Sequence, residues 1–366
     1  MTVTPMWERV VGQERAVEML QRDALHPVHS YLLSGPPGAG AEEAARCFAA
    51  ALLCPDGGCG ICSTCDRVVR SRHPDAVEIE PEGTFLVVDQ VSEIVREAFA
   101  SPYEADRRVI LVFEAERMNE AAANKLLKTL EEPSERTHLV LVTGAPEELL
   151  RTVRSRCRQV SLNGVSEAVI SRALGDAGIP SDRALLAARL SGGRLDRARA
   201  FADGALALVR DAALGVMTRL DGTGAAVSVA ADELMGAVER GLGAIESQHA
   251  RESEELDQEL SKADYPDRVV RRMHKDLAQR QERAIRRARV DLLVEAITAM
   301  ETYLRDALVP GSPALNIDRP APAPAARSVV VALDACRSAG AALGQRIALN
   351  ERLLLQRLLL SVSVGR

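Results

Sequence analysis

The stretch HSYLLSGPPGAGAEEAARCF, residues 29–48, decides how the first part of the chain folds. Its apolar run YLLSG (31–35) predicts a short buried strand, and AEEAARCFAAALL (41–53) has the composition of a helix. The turn between them contains the glycines of a phosphate-binding loop, Gly35, Gly38 and Gly40. A strand, a glycine loop and a helix in this order predict the start of an α/β domain.

Strand and helix patterns continue to alternate up to about residue 163. Further strands are predicted at 76–81, 107–116 and 137–144, and helices at 88–99 and 121–132. Continuous apolar strands such as RRVILVFEAE (107–116) are typical of parallel sheets that are buried on both faces. Residues 1–163 are therefore expected to form an α/β domain with helices covering both faces of a parallel sheet.

The helix predicted at 121–132 begins after a candidate capping residue, Asn119, and stops before Pro133. Leu126, Leu127 and Leu130 lie on one of its faces. The favoured interpretation is that this stripe packs into the core; a contact at a subunit or partner surface is the alternative.

Beyond residue 163 the strand signals stop. Residues 164–204 read as short helices punctuated by glycines and are expected to form a small helical lid. Residues 205–366 read as long helices, with a charged helical insertion at about 245–290 and a proline-rich loop at 310–328. The chain is thus expected to contain three domains, the last one entirely α-helical.

Composition and charge restrict the class of protein. The chain has 366 residues, of which 47% are hydrophobic, and its net charge is −6. That charge argues against a general affinity for nucleic acid. No signal peptide and no run of about 18 apolar residues are evident. We therefore expect a cytoplasmic protein without a membrane segment.

The glycine loop departs from a working phosphate loop at its two chemical positions. In G-x-x-x-x-G-K-[ST], the lysine contacts the outer phosphates and the hydroxyl binds magnesium. Here Ala41 stands at the lysine position and Glu42 at the hydroxyl position, and Glu43 follows. Carboxylates at a helix N-terminus occupy the place that favours phosphate. We therefore expect a strand-to-helix turn that has lost nucleotide binding, with Gly35, Gly38, Gly40, Ala41 and Glu42 as its degenerate loop.

The strand at 107–116 shows a second loss. Phe113 occupies the place of a magnesium-binding aspartate, and only Glu114 remains of an acidic pair. Glu116 is expected to point to the other side of an extended strand. Two independent losses in one site predict that this chain does not hydrolyse ATP.

Four of the seven cysteines fall within twelve residues: Cys54, Cys59, Cys62 and Cys65. Their spacing can bring four thiolates around one tetrahedral Zn²⁺, and a closed four-sulfur shell is structural rather than catalytic. Buried thiols without metal, or an iron–sulfur cluster, are the alternatives. Cys47 and Cys336 are expected to be core residues.

The segment RTVRSRCRQV (151–160) carries four arginines within eight residues. It fits a basic surface that touches DNA, a solvated face, or an arginine presented to the nucleotide of a neighbouring subunit. Arginine suits the last role because its planar guanidinium can stabilise charge spread over phosphoryl oxygens.

These motifs together resemble the delta-prime family of bacterial DNA polymerase III clamp-loader subunits, within the AAA+ superfamily. The resemblance is densest over residues 10–162 and continues more weakly through 304–309 and 348–360. The stretches that carry it are VVGQ (10–13), HSYLLSGPPGAG (29–40), the four-cysteine insert, HPD (73–75), VDQVSEI (88–94), AERMNEAAANKLLKTLEEP (115–133) and SRC (155–157).

The resemblance implies roles for particular residues. Arg156 would be an arginine finger that acts in trans on the next subunit, with Ser155 and Cys157 setting its position. The four clustered cysteines would bind a structural zinc ion, although the first gap between them is shorter than is usual in the family. The second arginine sensor of AAA+ lids finds no clear place in SGGRLDRAR (191–199), because Asp196 falls at the expected position, beside Arg194 and Arg197.

The resemblance also implies an assembly. Five AAA+ chains, held by a collar of C-terminal helices, use ATP to open a sliding clamp and close it on primed DNA. This chain would be a non-hydrolysing stator in the cytoplasmic, nucleoid-associated replisome. Its partners would be the ATPase subunits (gamma/tau) and the delta subunit, with weak or indirect contact to the clamp. An active AAA+ ATPase subunit and a zinc-containing nucleic-acid-binding protein are the alternative functions.

The resemblance does not explain the charged residues 251–289, whose first part is acidic and whose second part is strongly basic. A solvated helical hairpin is the favoured interpretation. A contact for DNA, for a partner chain or for a single-stranded-binding protein is the alternative. Under the favoured interpretation, charge reversal at Arg271, Arg272 and Arg283 leaves DNA affinity unchanged.

Overall fold

The computed structural model describes residues 5–81, 85–262, 265–308, 314–319, 326–344 and 350–364. These residues form two compact units. The first extends to Ala173 and includes Gly193–Asp196, and the second contains Leu174–Gly192 and the chain from Arg197 onward. In the part of the chain that is described, no helix combines the length and the apolar character needed to cross a membrane.

The first unit is built on a five-stranded sheet in which all neighbouring strands are parallel. The strand order is β2-β3-β4-β1-β5. The strands are β1 (Ser30–Ser34), β2 (Ala76–Ile79), β3 (Arg108–Val112), β4 (Thr137–Thr143) and β5 (Arg158–Ser161). Every residue of β1, β3 and β4 is buried, as the continuous apolar runs predict. The parallel α/β sheet predicted for this region is confirmed.

Helices cover both faces of this sheet. They are α1 (Glu14–Leu25), α2 (Ala41–Leu53), α3 (Ser63–Val69), α4 (Val88–Ala98), α5 (Glu120–Glu131) and α6 (Arg151–Arg154), and α7 (Glu167–Asp176) follows. One apolar core contains Tyr31, Phe48 and the rest of the α1–α3 face. The other core contains Ile94, Leu126 and the rest of the α4–α6 face.

Helix α5 illustrates how local sequence sets an element and its packing. The Asn119 side chain accepts a hydrogen bond from the Ala122 N–H (2.9 Å), which satisfies one of the orphan donors of the first turn. Leu126 and Leu130 are buried in the core, and Leu127 is partly buried against it. The favoured interpretation of the leucine stripe as core is therefore confirmed for Leu126 and Leu130.

Two features of the sheet differ from the sequence-based expectation. Strand β3 ends at Val112 instead of continuing to 116, because Glu114 adopts a left-handed conformation (φ +49°) and a 3₁₀ turn covers Ala115–Arg117. Strand β5 was not predicted. It is an edge strand that pairs only with β1 and buries only Val160, so its sequence lacks the apolar run of a central strand.

A buried polar network joins the amino-terminal ends of β2 and β3. Asp75 is fully buried and accepts hydrogen bonds from the backbone N–H groups of Tyr103 (2.7 Å), Glu104 (2.9 Å) and Ala105 (3.0 Å). The guanidinium of the fully buried Arg108 also donates to Asp75 (3.2 Å) and pairs with Glu97. The HPD motif thus fixes the loop before β3 to the edge of the sheet.

The described residues of the second unit form helices and connecting segments, with no strand among them. Its complete helices are α8 (Ser181–Leu190), α10 (Ala205–Arg219), α11 (Gly224–Leu260), α12 (Asp267–Leu308), α13 (Ala326–Gly344) and α14 (Glu351–Val364), and α9 (Leu195–Ala202) contributes most of its length. Much of the predicted proline-rich loop, namely 310–313 and 320–325, lies outside the described residues. Its end was predicted wrongly, because α13 begins at Ala326.

Buried residues of α11 and α12 concentrate where other helices pack against them. The main buried stretch of α11 ends at Leu242, and that of α12 begins at Leu292. Between these points, the described residues of the two helices share a small cluster formed by Leu256, Leu260 and Leu277, and Val269 of α12 is also buried. Gln281 of α12 also donates to the backbone oxygen of His249 in α11 (2.9 Å). These distal halves thus form a thin two-helix arm, defined here as residues 243–262 and 265–290.

Candidate functional site

The glycine loop joins β1 to α2 at the carboxyl-terminal edge of the sheet, where parallel α/β sheets bind ligands. Gly38 (φ +77°) and Gly40 (φ +88°) both adopt left-handed conformations that favour glycine. Gly40 is the residue that precedes the first turn of α2. The loop therefore keeps the backbone path of a phosphate-binding turn.

Gln13, from the VVGQ motif, holds this loop in place. Its side-chain amide donates to the backbone oxygens of Ala39 (3.0 Å) and Asn163 (2.6 Å), and its amide oxygen accepts from the Asn163 N–H (3.0 Å). Gln13 is buried, so these bonds are shielded from water. The glutamine thus ties the loop to the chain that leaves β5.

Carboxylates occupy the first turn of α2. Glu42 and Glu43 lie at the N-terminal end of the helix, where the backbone N–H groups favour negative charge. Glu43 pairs with Arg9, and Glu42 lies 3.9 Å from the guanidinium of Arg46. The carboxylates of Glu42 and Glu43 therefore neutralise the partial positive charge at the N-terminus of α2 that would otherwise attract a phosphate.

Phe113 lies directly after β3, at the position where the sequence pattern of a nucleotide hydrolase would have a metal-binding aspartate. The ring is buried, and the Arg46 guanidinium lies 4.8 Å from its centroid. Arg46 also makes a two-point ion pair with Glu78 of β2, at 3.1 and 3.2 Å. This arginine is committed to structural contacts, and the Phe113 ring offers no ligand for magnesium.

Two carboxylates follow Phe113 at this edge. Glu114 pairs with Arg117 (2.5 Å) within the 3₁₀ turn. The expectation that Glu116 lies across an extended strand was wrong, because the strand has already ended. One oxygen of Glu116 lies 3.8 Å from the position that a Cβ on Gly144 would take, and the other is buried without a hydrogen-bond partner among the described residues. Only the irregular turn brings Glu116 to this edge, and the sequence did not signal it.

Residues 193–196, called here the covering segment, pack directly on the loop. The Leu195 N–H donates to the Gly38 oxygen (3.2 Å). A Cβ added at Gly38 would lie 2.7 Å from the Cβ of Arg194 and would clash with a carboxylate oxygen of Asp196. Arg194 and Asp196 also pair with each other (2.7 Å). The covering segment therefore packs against the Gly38 side of the turn.

The next arginine, Arg197, belongs to the second unit. It pairs with Glu295 of α12 at 2.5 Å, and Glu295 is buried. Burial raises the pKa of Glu295 to about 7, although Arg197 and Arg210 act in the opposite direction. This contact commits the Arg197 guanidinium to a buried carboxylate within the helical unit.

The four clustered cysteines converge as their spacing predicts. Their sulfur atoms all lie within 4.8 Å of one another, with the Cys54 sulfur 3.9 Å from that of Cys59 and 3.7 Å from that of Cys62. Backbone N–H groups of Gly60 and Cys65 point to the sulfurs of Cys65 and Cys62, each at 3.4 Å. Four sulfurs at these separations can hold a metal ion.

Burial and hydrogen bonding shift the pKa of the Cys54 thiol in opposite directions. Burial raises its pKa, but hydrogen bonds from the backbone of Cys59, Gly58 and Asp56 and from the Cys62 side chain outweigh it and lower the pKa to about 7. A lowered pKa favours the thiolate, which is the form that binds metal.

The cysteine loop packs tightly on the start of the chain. A Cβ on Gly58 would lie 2.8 Å from the Met6 side chain and 2.9 Å from the Ala51 Cα, and a Cβ on Gly60 would lie 2.8 Å from the Met6 nitrogen. Cys47, in α2, donates from its sulfur to the Met6 oxygen (3.3 Å) and is buried, as is Cys336 in α13. The predictions that Cys47 and Cys336 are core residues are thus confirmed.

Arg156 lies in the short connection between α6 and β5. Its guanidinium pairs with Glu131, the last residue of α5, and donates to the Thr152 oxygen (2.9 Å). One third of the side chain is exposed. Ser155 also bonds to the Thr152 oxygen (3.1 Å), and the Cys157 side chain is buried in the core, where burial raises its thiol pKa to about 12. Both neighbours of Arg156 are therefore anchored, while Arg156 itself remains at the surface.

The other arginines of this segment do not form one basic face. Arg158 pairs with Asp23 of α1, and the Nε of Arg154 is buried without a hydrogen-bond partner among the described residues. Arg151 is exposed. This distribution weakens the interpretation of residues 151–160 as a continuous DNA-binding surface.

Comparison with known proteins gives a consistent picture for the first unit. Residues 12–166 match the family described as "DNA polymerase III, delta subunit". DNA polymerase III subunit delta′ of Pseudomonas aeruginosa is 41% identical over 175 residues, which cover 45% of this chain and 53% of that protein. Subunit delta′ of Bacillus subtilis is 34% identical over 153 residues, covering 40% and 46% respectively. The chain thus spans about half the length of the curated relatives it matches.

Among solved structures, a DNA polymerase III gamma-subunit-related protein of Thermotoga maritima is 19% identical, with a TM-score of 0.48, and the match covers 95% of this chain and 99% of that one. The RuvB Holliday junction branch migration motor of the same organism is 18% identical, with a TM-score of 0.39, and 55% and 62% are covered. The sequence matches, and not these structures, support the assignment. Residues 12–166 are therefore similar to the DNA polymerase III delta-subunit family, and delta′ subunits are among the proteins that this part of the chain resembles.

Proposed function

We propose that this chain is a non-hydrolysing subunit of the DNA polymerase III clamp loader. It would assemble with ATPase subunits of the gamma/tau type and with a delta subunit, and would help to load the sliding clamp onto primed DNA. The family match over residues 12–166 supports the clamp-loader assignment. The non-hydrolysing role depends on the site.

The observation that carries this role is the filling of the glycine loop by the chain itself. Asp196 and Arg194 pack against Gly38, and the carboxylates of Glu42 and Glu43 occupy the first turn of α2. A triphosphate entering the loop would meet carboxylates instead of the lysine and hydroxyl that bind it elsewhere. Phe113 removes the metal ligand as well, so neither phosphate nor magnesium has its partner.

Arg156 is the residue proposed to act in trans. Its side chain lies at the surface between two anchored neighbours, so a phosphate on an adjacent subunit could reach it. Its pairing with Glu131 is solvent-exposed and contributes only about 0–1 kcal/mol. A phosphoryl group of a neighbour's nucleotide carries more charge than one carboxylate and could replace Glu131 as the partner.

The cysteine cluster is proposed to hold a structural Zn²⁺ through Cys54, Cys59, Cys62 and Cys65. Zinc–sulfur bonds of about 2.3 Å in a tetrahedron place the sulfurs roughly 3.8 Å apart. The separations of 3.7 and 3.9 Å around Cys54 fit this geometry. Four thiolates leave no open position for water or substrate, so the ion would stabilise the loop and carry out no chemistry.

The deciding experiment measures ATP turnover by a reconstituted loader with clamp and primed DNA. Arg156→Ala is compared with wild type and with Arg151→Ala, which removes an exposed arginine from the same segment. We expect turnover to fall far below wild type only for Arg156→Ala, since a trans arginine contributes about 10³-fold or more at the site it completes. Equal turnover in all three rings, each shown to be assembled, would exclude the trans role.

A second measurement tests the non-hydrolysing role separately. The isolated chain is titrated with a fluorescent ATP analogue in the presence of magnesium. We expect no saturable binding, because the covering segment and the carboxylates occupy the loop. Saturable binding accompanied by hydrolysis would support the alternative of an active ATPase subunit.

A further inference from the structure

The two helices of the arm carry opposite charge. Residues 246–262, in α11 and the turn after it, contain six acidic and two basic residues. Residues 265–289, which include the distal half of α12, contain nine basic and three acidic residues. The basic excess therefore lies on one helix, and its effect depends on which side chains face outward.

The structure separates the cations of α12 into two faces. Arg272, Arg280 and Arg283 are partly buried, and Arg272 lies 3.9 Å from Asp276. Arg268, Arg271 and Lys275 are exposed and follow the helical repeat, so they form one outward stripe about 10 Å long. Arg271 and Lys275 make no ion pair with any described residue. Their charge is therefore available to an external partner.

The same surface lacks the features of a protein interface. Protein interfaces depend on buried apolar and aromatic anchors. Among the described residues of the arm before Val290, no large hydrophobic side chain is exposed. The apolar residues near the tip, such as Leu277 and the partly buried Tyr265, pack within the arm itself.

No Phe, Tyr or Trp is exposed in the described part of the arm, which also argues against single-stranded nucleic acid. Proteins that bind single strands stack bases on aromatic side chains. A stripe of exposed cations without aromatic residues is suited instead to the phosphate backbone of a duplex, which is bound by charge and without sequence preference.

We propose that Arg271 and Lys275, on the outward stripe of the arm, bind the phosphate backbone of double-stranded DNA. The contact is independent of sequence and is carried by the chain itself, whatever the state of its glycine loop. It is distinct from the proposed trans role of Arg156, which belongs to the first unit.

The test measures binding of the full chain to a fluorescent duplex by anisotropy over about 50–200 mM salt. The variant is Arg271→Glu with Lys275→Glu. The matched control is Arg15→Glu with Arg22→Glu, which makes the same charge change at two exposed positions of α1. Thermal melting of all three proteins checks that the folds are equally stable.

We expect the arm variant to weaken duplex binding about 10-fold or more at the lowest salt concentration. The slope of log affinity against log salt should fall by about 2, since each lost phosphate contact removes roughly 0.9 from it. The control should retain the wild-type slope. An unchanged slope in the arm variant, or an equal loss in the control, overturns the proposal.

Two further outcomes would also overturn it. One is a loss confined to a single-stranded probe, which would assign the stripe to single strands. The other is wild-type duplex binding combined with impaired association with another clamp-loader subunit. That result would make the stripe a protein contact. Neither outcome depends on nucleotide binding or on Arg156, so the proposed function is tested separately.

Discussion

Replacing Asp75 by alanine should strongly destabilise the first unit. The substitution leaves the fully buried Arg108 without one of its two carboxylate partners and removes the acceptor for three backbone N–H groups. Breaking a buried charge pair costs about 3–5 kcal/mol. Tyr103 and Glu104 are exposed, so water can satisfy part of what their N–H groups lose. We therefore expect a loss of about 3–4 kcal/mol in the free energy of unfolding.

The assay uses the single tryptophan of the chain. Trp7 is buried in the first unit, so its fluorescence during urea unfolding follows this unit. With a urea dependence of about 3 kcal/mol/M, the midpoint should fall by about 1 M. The control is Glu93→Ala, which removes an exposed partner of Arg96 within the same unit and should cost at most about 1 kcal/mol. If Asp75→Ala shifts the urea midpoint no more than the control variant does, the reasoning is refuted.

Three further predictions follow from the first unit. Cys62→Ser, or a chelator, should release bound Zn²⁺, which a colorimetric metal assay measures. Either change should also lower the melting temperature followed by Trp7 fluorescence. Retention of wild-type stability would show that the cluster has no structural role. Glu131→Gln should change ATP turnover of the reconstituted loader if it orients Arg156, whereas equal turnover would limit Glu131 to a surface contact. Burial lowers the pKa of His138 from 6.5 to about 4, so the neutral form is favoured in the folded state and stability should fall as the pH drops from about 6.5 to 4. His138→Gln should flatten this pH dependence, measured by urea unfolding at each pH, and a parallel curve for both proteins would contradict the assignment.

Local patterns were sufficient to predict the central part of the sheet. The apolar run before Gly35 and the continuous run before Phe113 both form buried strands, because central parallel strands have no solvent-facing side. Helix α2 begins at Ala41 and ends at Leu53, as its composition indicates. The edge strand β5 escaped prediction because only one of its faces is buried, and its arginines resemble a basic loop.

Contacts between distant parts of the chain could not be predicted in the same way. The HPD motif was recognised, but the partners of Asp75 lie about 30 residues later, and nothing local identifies them. Asp196 was expected to displace a sensor arginine, yet its contact with Gly38 depends on how the chain returns to the loop. Glu116 was misplaced because no local pattern indicated that β3 ends before it. Each of these cases depends on contacts between residues far apart in the chain or on irregular backbone, which local patterns do not encode.

The packing of residues 193–196 on Gly38 also affects how tightly a soluble ligand could bind the glycine loop. A segment tethered to its own binding site acts at a high effective concentration, on the order of millimolar even for a flexible link. Any soluble ligand for the glycine loop must displace this internal competitor before it binds, so its apparent affinity falls by the fraction of time that the loop is covered. The conformation of this edge of the sheet should therefore respond little to changes in nucleotide concentration.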